Sequence, residues 1–137
     1  MVIDTSAIVA IAFNEPEAEA FERRIADAPI RLISAATVLE AAMVIETRLG
    51  EPGGSELDLW LHKADVEIVA VDAEQADQAR RAWRRFGTRR HPAGLNFGDC
   101  FSYALSALTQ EPRCFSKAMI SPSPTSRRPE ALLNGVA

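Results

Sequence analysis

The sequence predicts an α/β fold built on a parallel sheet. Three observations carry that expectation. Short apolar runs alternate along the chain with longer amphipathic stretches, the pattern of repeated strand–helix units. Right-handed crossovers between such units would bring the C-terminal ends of the strands to one edge of the sheet. The first run, Met1-Val2-Ile3, stops at that edge on an acid, Asp4-Thr5-Ser6, and in open α/β sheets this edge is where ligands bind.

The elements follow in order. Met1–Ile3 reads as a very short buried strand. Ser6–Phe13 reads as a short apolar helix, ended near Asn14 and Pro16. Glu17–Ala28 is amphipathic, with Ala20, Phe21, Ile25 and Ala28 near one stripe, and Pro29 ends it. Ile30–Ser34 is a strand. Ser34 is a good N-cap for a helix over Ala35–Leu49, which Gly50 closes. Glu51-Pro52-Gly53-Gly54 reads as a turn, after which Ser55 caps a helix to about Ala64 that packs Leu57, Trp60 and Leu61. Val66–Val71, rich in β-branched residues, is the clearest strand. Asp72 caps a helix over Ala73–Phe86, His91–Gly98 is a loop, and a last helix runs from Asp99 to about Leu108. There is no internal repeat.

At 137 residues, 47% of them hydrophobic and 25% charged, the chain suits one compact soluble domain. No apolar run approaches the roughly 20 residues that span a bilayer, and no basic segment precedes an apolar signal core. The expected location is the cytoplasm, with no membrane partner. Cys100 and Cys114 have neither metal-ligand nor disulfide-framework spacing, and Cys100 reads as a small core residue. The net charge of −4 is uneven: residues 113–137 carry +3 and the preceding residues −7. Such an acidic body excludes wholesale electrostatic capture of nucleic acid, though not binding through a local basic patch.

Three acids stand in unusual places. Asp4 ends a buried strand, where an ionised carboxylate is costly unless paired, hydrogen-bonded or metal-bound. It could equally cap the helix that follows. Glu40 lies inside the long helix among Val38, Leu39, Ala41, Ala42 and Val44, and it is either a surface glutamate or a site residue. Asp99 begins a helix after Gly98, where free N–H groups and the helix dipole favour a carboxylate. Capping and metal binding are compatible there. If the three converge, mutual repulsion raises their pKa values unless cations are present. An all-oxygen carboxylate set suits Mg²⁺ or Mn²⁺, which can activate water and steady the charge of a phosphodiester in transit. His62 and His91 are isolated surface residues. Neither a Gly-rich phosphate loop nor a serine nucleophile elbow is present.

These residues carry a family likeness. Val2-Ile3-Asp4-Thr5-Ser6-Ala7, then Ser34–Ala42 around Glu40, then Asn96-Phe97-Gly98-Asp99-Cys100 with Tyr103-Ala104-Leu105, resemble a PIN-domain ribonuclease, and more narrowly VapC, the toxin of type II toxin–antitoxin systems. The likeness spans residues 1–112. It implies a three-layer α/β/α domain with a central parallel sheet and Mg²⁺- or Mn²⁺-dependent endoribonuclease activity on RNA. It also implies a VapB-type antitoxin that covers the site, and a homodimer. Asp4 and Asp99 match the metal ligands, Glu40 matches the third catalytic acid, and Ser6 matches a polar residue that orients water or phosphate.

Residues 113–137 depart from that pattern. The family places a further strand and a fourth acid here, in a run like Glu-Pro-Leu-Leu-Phe-Lys-Gly-Asp-Asp-Phe. This chain has Glu111-Pro112 and then Arg113-Cys114-Phe115-Ser116-Lys117-Ala118-Met119-Ile120, so both strand and acid are expected to be lost. A shift of reading frame accounts for this. Read from third codon bases, Met119 and Ile120 must give GAT, aspartate, whatever synonymous codons are used. The neighbouring codons permit Gly-Asp-Asp-Phe. The Ser/Pro-rich segment beyond about residue 120 is expected to be poorly ordered.

Arg80, Arg81, Arg84, Arg85, Arg89 and Arg90 form the one basic cluster. It is either a solvated helix face paired with Asp77 and Glu74 or a track for RNA phosphates beside the acids, with Arg84, Arg85 and Arg89 as its contacts. Trp60 and Trp83 are expected in a core or dimer interface rather than as base platforms. The rival reading of the whole chain is a PIN-fold protein that binds its antitoxin without cleaving RNA. A metal phosphatase is weaker, since no Asp-x-Asp-x-Thr motif follows the first strand.

Overall fold

The computed structural model describes residues 1–114. Its elements are β1 (Val2–Ile3), α1 (Thr5–Ala12), α2 (Ala18–Asp27), β2 (Leu32–Ser34), α3 (Ala35–Lys63), β3 (Glu67–Val69), α4 (Ala73–Phe86), α5 (Phe97–Thr109) and β4 (Arg113–Cys114). The strands form one parallel sheet in the order β3-β2-β1-β4. Side-chain alternation along the strands divides the core in two. Ile3 and Ile33 point to one face and pack with Ala7, Ile8, Phe21, Ile25, Ile45, Leu57 and Leu61 from α1, α2 and α3. Val2 and Leu32 point to the other and meet Leu105 of α5, on which α4 packs through Ala79, Ala82 and Phe86. This is the three-layer α/β/α arrangement expected from the sequence. Ile3 and Ile33 are fully buried, and each such side chain contributes about 1.5–3 kcal/mol relative to exposure.

The differences from expectation have local causes. The helix of residues 35–49 and the helix after the expected turn form one element, α3, kinked at Gly50 (φ 69°, ψ −170°). Glu51–Gly54 is helical because Pro52 lies in the first turn beyond the kink, where its missing N–H costs nothing. The two halves fold tightly upon each other there: a Cβ at Gly53 would lie 2.7 Å from the Leu49 Cβ and 2.9 Å from an Ile45 methyl. β3 is shorter than its β-branched run, and Ile68 is half exposed, because the strand lies at the sheet edge. In α2, Ala18 rather than Ala20 is buried with Phe21 and Ile25.

The largest correction concerns the last strand, expected to be lost. Arg113 and Cys114 do form β4, in register with Val2 and Ile3. The chain is steered there by a 2.7 Å bond from the Val2 N–H to the Pro112 carbonyl and by the Met1 ammonium, which donates to Glu111 Oε2 at 2.5 Å. The expectations about the missing fourth acid and the Ser/Pro-rich tail fall on residues outside those described.

Candidate active site

β1 delivers Asp4 to the C-terminal edge of the sheet, next to β2. Asp4 is only 2% exposed. It is the N-cap of α1: its Oδ2 accepts from the Ser6 N–H at 3.3 Å and the Ser6 hydroxyl at 2.9 Å. The other oxygen, Oδ1, is buried without a hydrogen-bond partner among the described residues. The capping reading of Asp4 therefore holds for Oδ2, and Oδ1 is left over from it. An orphaned buried carboxylate oxygen is costly, and a cation is the partner that such an oxygen lacks.

Asp99 does not begin its helix. Asn96 is the N-cap of α5, and Asp99 is three residues on, in a reciprocal capping box. The Asn96 N–H donates to Asp99 Oδ2 at 2.9 Å, and the Asp99 N–H donates to Asn96 Oδ1 at 2.8 Å. Burial pushes the Asp99 carboxyl pKa up. The Asn96 bond opposes that, the charges of Asp4 and Glu40 raise it further, and Arg113 works weakly the other way. That Asp99 feels both other acids places the three in one electrostatic neighbourhood.

Glu40 enters from α3 and is half-buried rather than a free surface glutamate. The Thr5 hydroxyl donates to its Oε2 at 2.5 Å. Its carboxylate lies directly on the Cα of Gly98, where an added Cβ would fall 1.8 Å from Oε2. Only a residue without a side chain leaves that space. α3 and α5 are tied one turn away by a buried contact between the Thr37 and Ser102 hydroxyls, 3.3 Å apart. Thr5 and Gly98 were not read as site residues from the sequence. Their signals, adjacency to Asp4 and Asp99, were present.

Arg113 is a further residue the sequence reading missed. Its guanidinium is buried, stacked 5.2 Å above the Tyr103 ring. Burial lowers its pKa, while Asp4 and Asp99 raise it. Cys100 is the small core residue expected: burial, then the charge of Asp99, pushes its thiol up to about 11, which keeps it protonated and unreactive.

As to metal binding, the described residues contain no group of three or more His, Cys, Asp or Glu that could hold an ion. Asp99 feels the charges of Asp4 and Glu40, but the three acids form no compact triad, and Glu40 is engaged by Thr5. Asp4 and Asp99 remain. That is a fitting set for Mg²⁺, which is commonly bound by one or two carboxylates and keeps several waters. The hard oxygen donors, the orphaned Asp4 Oδ1 and the raised Asp99 pKa all fit such an ion.

Among the arginines, Arg80 and Arg81 both pair with the partly exposed Asp77, at 3.0 and 2.7 Å. Arg84, Arg85 and Arg89 form no salt bridge among the described residues. Arg85 instead lies 4.8 Å from the Phe86 ring centroid, and Arg90 lies 4.1 Å from that of Trp83. His62 and His91 are exposed, as expected. No helix among the described residues is long and apolar enough to cross a membrane.

The PIN domain family model matches residues 1–113. The chain is 63% identical to a VapC ribonuclease of Mycolicibacterium smegmatis over 115 residues, 84% of this chain and 89% of the relative. The chain belongs to the VapC ribonucleases of the PIN-domain family. Ribonuclease VapC30 of Mycobacterium tuberculosis is 59% identical over 115 residues, 84% of this chain and 88% of the relative. In three dimensions the chain is similar to the M. tuberculosis VapC20 structure, described as a sarcin-ricin loop cleaving toxin, with a TM-score of 0.69 at 18% identity, covering 85% of this chain and 89% of that one. That likeness bears on the fold alone, and it agrees with the layered sheet described above.

Proposed function

We propose that this VapC-family chain is the toxin of a type II toxin–antitoxin pair, a Mg²⁺- or Mn²⁺-dependent endoribonuclease in which Asp4 and Asp99 hold the ion and Glu40 is the third catalytic acid. The observation that carries this is the buried Oδ1 of Asp4, without a hydrogen-bond partner among the described residues. A divalent ion bound there supplies positive charge to the phosphodiester and makes a bound water more acidic. The protein's own contribution is placement. The Ser6 hydroxyl holds Asp4 Oδ2, which leaves Oδ1 for the ion, and Ser6 orients water or phosphate. The Asn96 capping box fixes Asp99. Thr5 and the bare Cα of Gly98 hold Glu40 by Oε2, leaving Oε1 without a hydrogen bond among the described residues and able to accept a proton from the attacking water.

Arg84, Arg85 and Arg89 contact the RNA backbone. Their exposed guanidiniums, in no salt bridge among the described residues, support this, since a planar fork suits phosphate. A VapB-type antitoxin covers the site. The strongly exposed Leu39 and Met43, on either side of Glu40 in α3, support it as an apolar rim for a partner protein. The homodimer and the cytoplasmic location rest on the family resemblance. The end of the family match at residue 113 supports a change of reading frame there, and the codons of residues 117–120 test it.

The deciding experiment is cleavage of structured RNA by the full chain. We expect scission in Mg²⁺ that stops in EDTA and returns with Mn²⁺. Tight antitoxin binding with no cleavage under any divalent ion would overturn the catalytic reading.

A further inference from the structure

Arg113 places a full charge in the interior: it is only 4% exposed. A buried cation is costly unless opposite charge lies near it. The sheet register shows where that charge is. Arg113 is the parallel partner of Val2, and the side chains of paired residues leave a sheet on the same face. Val2 points to the α5 layer, where it meets Leu105, so Arg113 points there too. Asp4 is two residues beyond Val2, and alternation returns it to that face. From α5 they are met by Tyr103, whose ring centroid lies 5.2 Å from the Arg113 guanidinium. Tyr103 is about one turn beyond Asp99, so both project from one side of α5. β1, β4 and α5 thus turn Asp4, Arg113 and Asp99 toward one space. The electrostatics agree. Burial lowers the Arg113 pKa, and the first charges that raise it are those of Asp4 and Asp99.

The segment that carries Arg113 is pinned from two sides. The Pro112 carbonyl accepts from the Val2 N–H at 2.7 Å, and the Glu111 carbonyl accepts from the Ser106 hydroxyl of α5 at 2.5 Å. A guanidinium suits the place, because it is weakly hydrated and stacks on an aromatic face. It does not take the ligand position. Asp4 Oδ1 has no hydrogen-bond partner among the described residues, so Arg113 acts on it by charge across space rather than by contact. A fixed positive charge near two carboxylates has two opposite effects. It offsets their mutual repulsion when no ion is bound. It also repels a divalent ion that arrives.

We propose that Arg113 is a built-in counter-cation of the acid site, which steadies Asp4 and Asp99 in the metal-free chain and weakens their hold on a divalent ion. This rests on the reading above that those two acids are the metal ligands. It deepens that reading into regulation: the site stays assembled without metal, and its occupancy follows the supply of Mg²⁺.

The test uses the full chain and two measurements. The first is melting in EDTA. Arg113→Met keeps an unbranched side chain and removes the charge. It should lower the melting temperature by about 3–5 °C more in the wild-type background than in Asp4→Asn, the scale of one coupled charge pair in a chain of this size. In the Asp4→Asn chain Asp99 still faces Arg113, so the guanidinium keeps a counter-charge there. The second measurement is Mg²⁺ affinity by calorimetric titration. Arg113→Met should bind Mg²⁺ about tenfold tighter than wild type, since a unit charge within about 12 Å is worth roughly that factor at the effective dielectric of a protein. Arg113→Lys keeps the charge and should bind Mg²⁺ as wild type does. Arg113→Gln replaces Arg113→Met if that variant does not fold. Equal melting losses in the two backgrounds would overturn the proposal, and so would Mg²⁺ binding that is unchanged or weaker in Arg113→Met. Arg113 would then be a packing residue on Tyr103. Failure of both the wild type and Arg113→Met to bind Mg²⁺ is a different result. It sinks the metal reading, whereas the melting comparison tests the counter-charge without any ion.

Discussion

Asp4 and Asp72 occupy the same local pattern and do different things. Each follows a strand, each has extended backbone, and each caps the helix that comes next. Asp72 is exposed, and its Oδ1 accepts from the Gln75 N–H at 2.8 Å while the rest of the carboxylate lies in solvent. Asp4 caps α1 with Oδ2 alone and keeps Oδ1 buried, with no hydrogen-bond partner among the described residues. The difference comes from the sheet. β1 lies in its interior and β3 at its edge, so the same acid is sealed in at the first and washed by water at the second. A cap that uses its charge in solvent is structural. A cap that buries an unused oxygen carries a desolvation cost that capping alone does not offset, and the proposed metal role of Asp4 accounts for it.

The largest effect should come from separating charge from capping at the two positions. Asparagine caps as well as aspartate, so Asp4→Asn keeps the helix start and removes the charge. RNA cleavage should fall about 100-fold or more, on the scale of losing one charge-stabilising group in a reaction. In EDTA the variant should melt no lower than wild type. Asp72→Asn should leave the cleavage rate unchanged. Similar losses in both variants would dissolve the distinction.

Next in size is Gly98→Ala. The new methyl would occupy the place of the Glu40 carboxylate, and a displacement of about 1 Å at a reacting group can cost 100-fold. Cleavage should drop by that order with helix content unchanged, since alanine is the better helix former. Full activity would show that Glu40 need not rest there.

A smaller effect concerns pH. The Asp99 pKa is raised in the folded chain, by burial first and then by Asp4 and Glu40. The folded state therefore prefers the protonated acid. Its contribution is most favourable below the ordinary carboxylate range and is lost as pH rises through the elevated folded pKa. In EDTA, Asp99→Asn should melt higher than wild type at neutral pH, with the gap closing as pH falls. Mg²⁺ should stabilise the wild type more as pH rises. A gap that is flat with pH would contradict the burial of this charge. The smallest effect is Asp72→Ala, which should cost about 1 kcal/mol of stability, the usual value of an N-cap, with no change in cleavage.

Much of this was legible in the residues. α4 was read to its ends because Asp72 and the helical stripe are local signals, and the parallel α/β order followed from alternation. Other features were not legible, for reasons that are physical. Pro52 reads as a breaker until the kink at Gly50 puts it in a first turn. Asn96 and Asp99 are both good cap residues, and only the backbone path decides that one caps and the other answers it. The strand at Arg113 is hidden because two residues carry no periodicity. Its pairing comes from β1 and from the Met1–Glu111 contact.

The sequence by itself determined the order of strands and helices, the three acids and the family to which they belong, because these are properties of nearest neighbours and spacing. Only the tertiary structure decided which acid keeps an unused oxygen, that Glu40 rests on Gly98 under the hold of Thr5, and that Arg113 is buried against Tyr103. Each of these depends on burial and on contact between residues far apart in the chain, which a one-dimensional pattern does not contain.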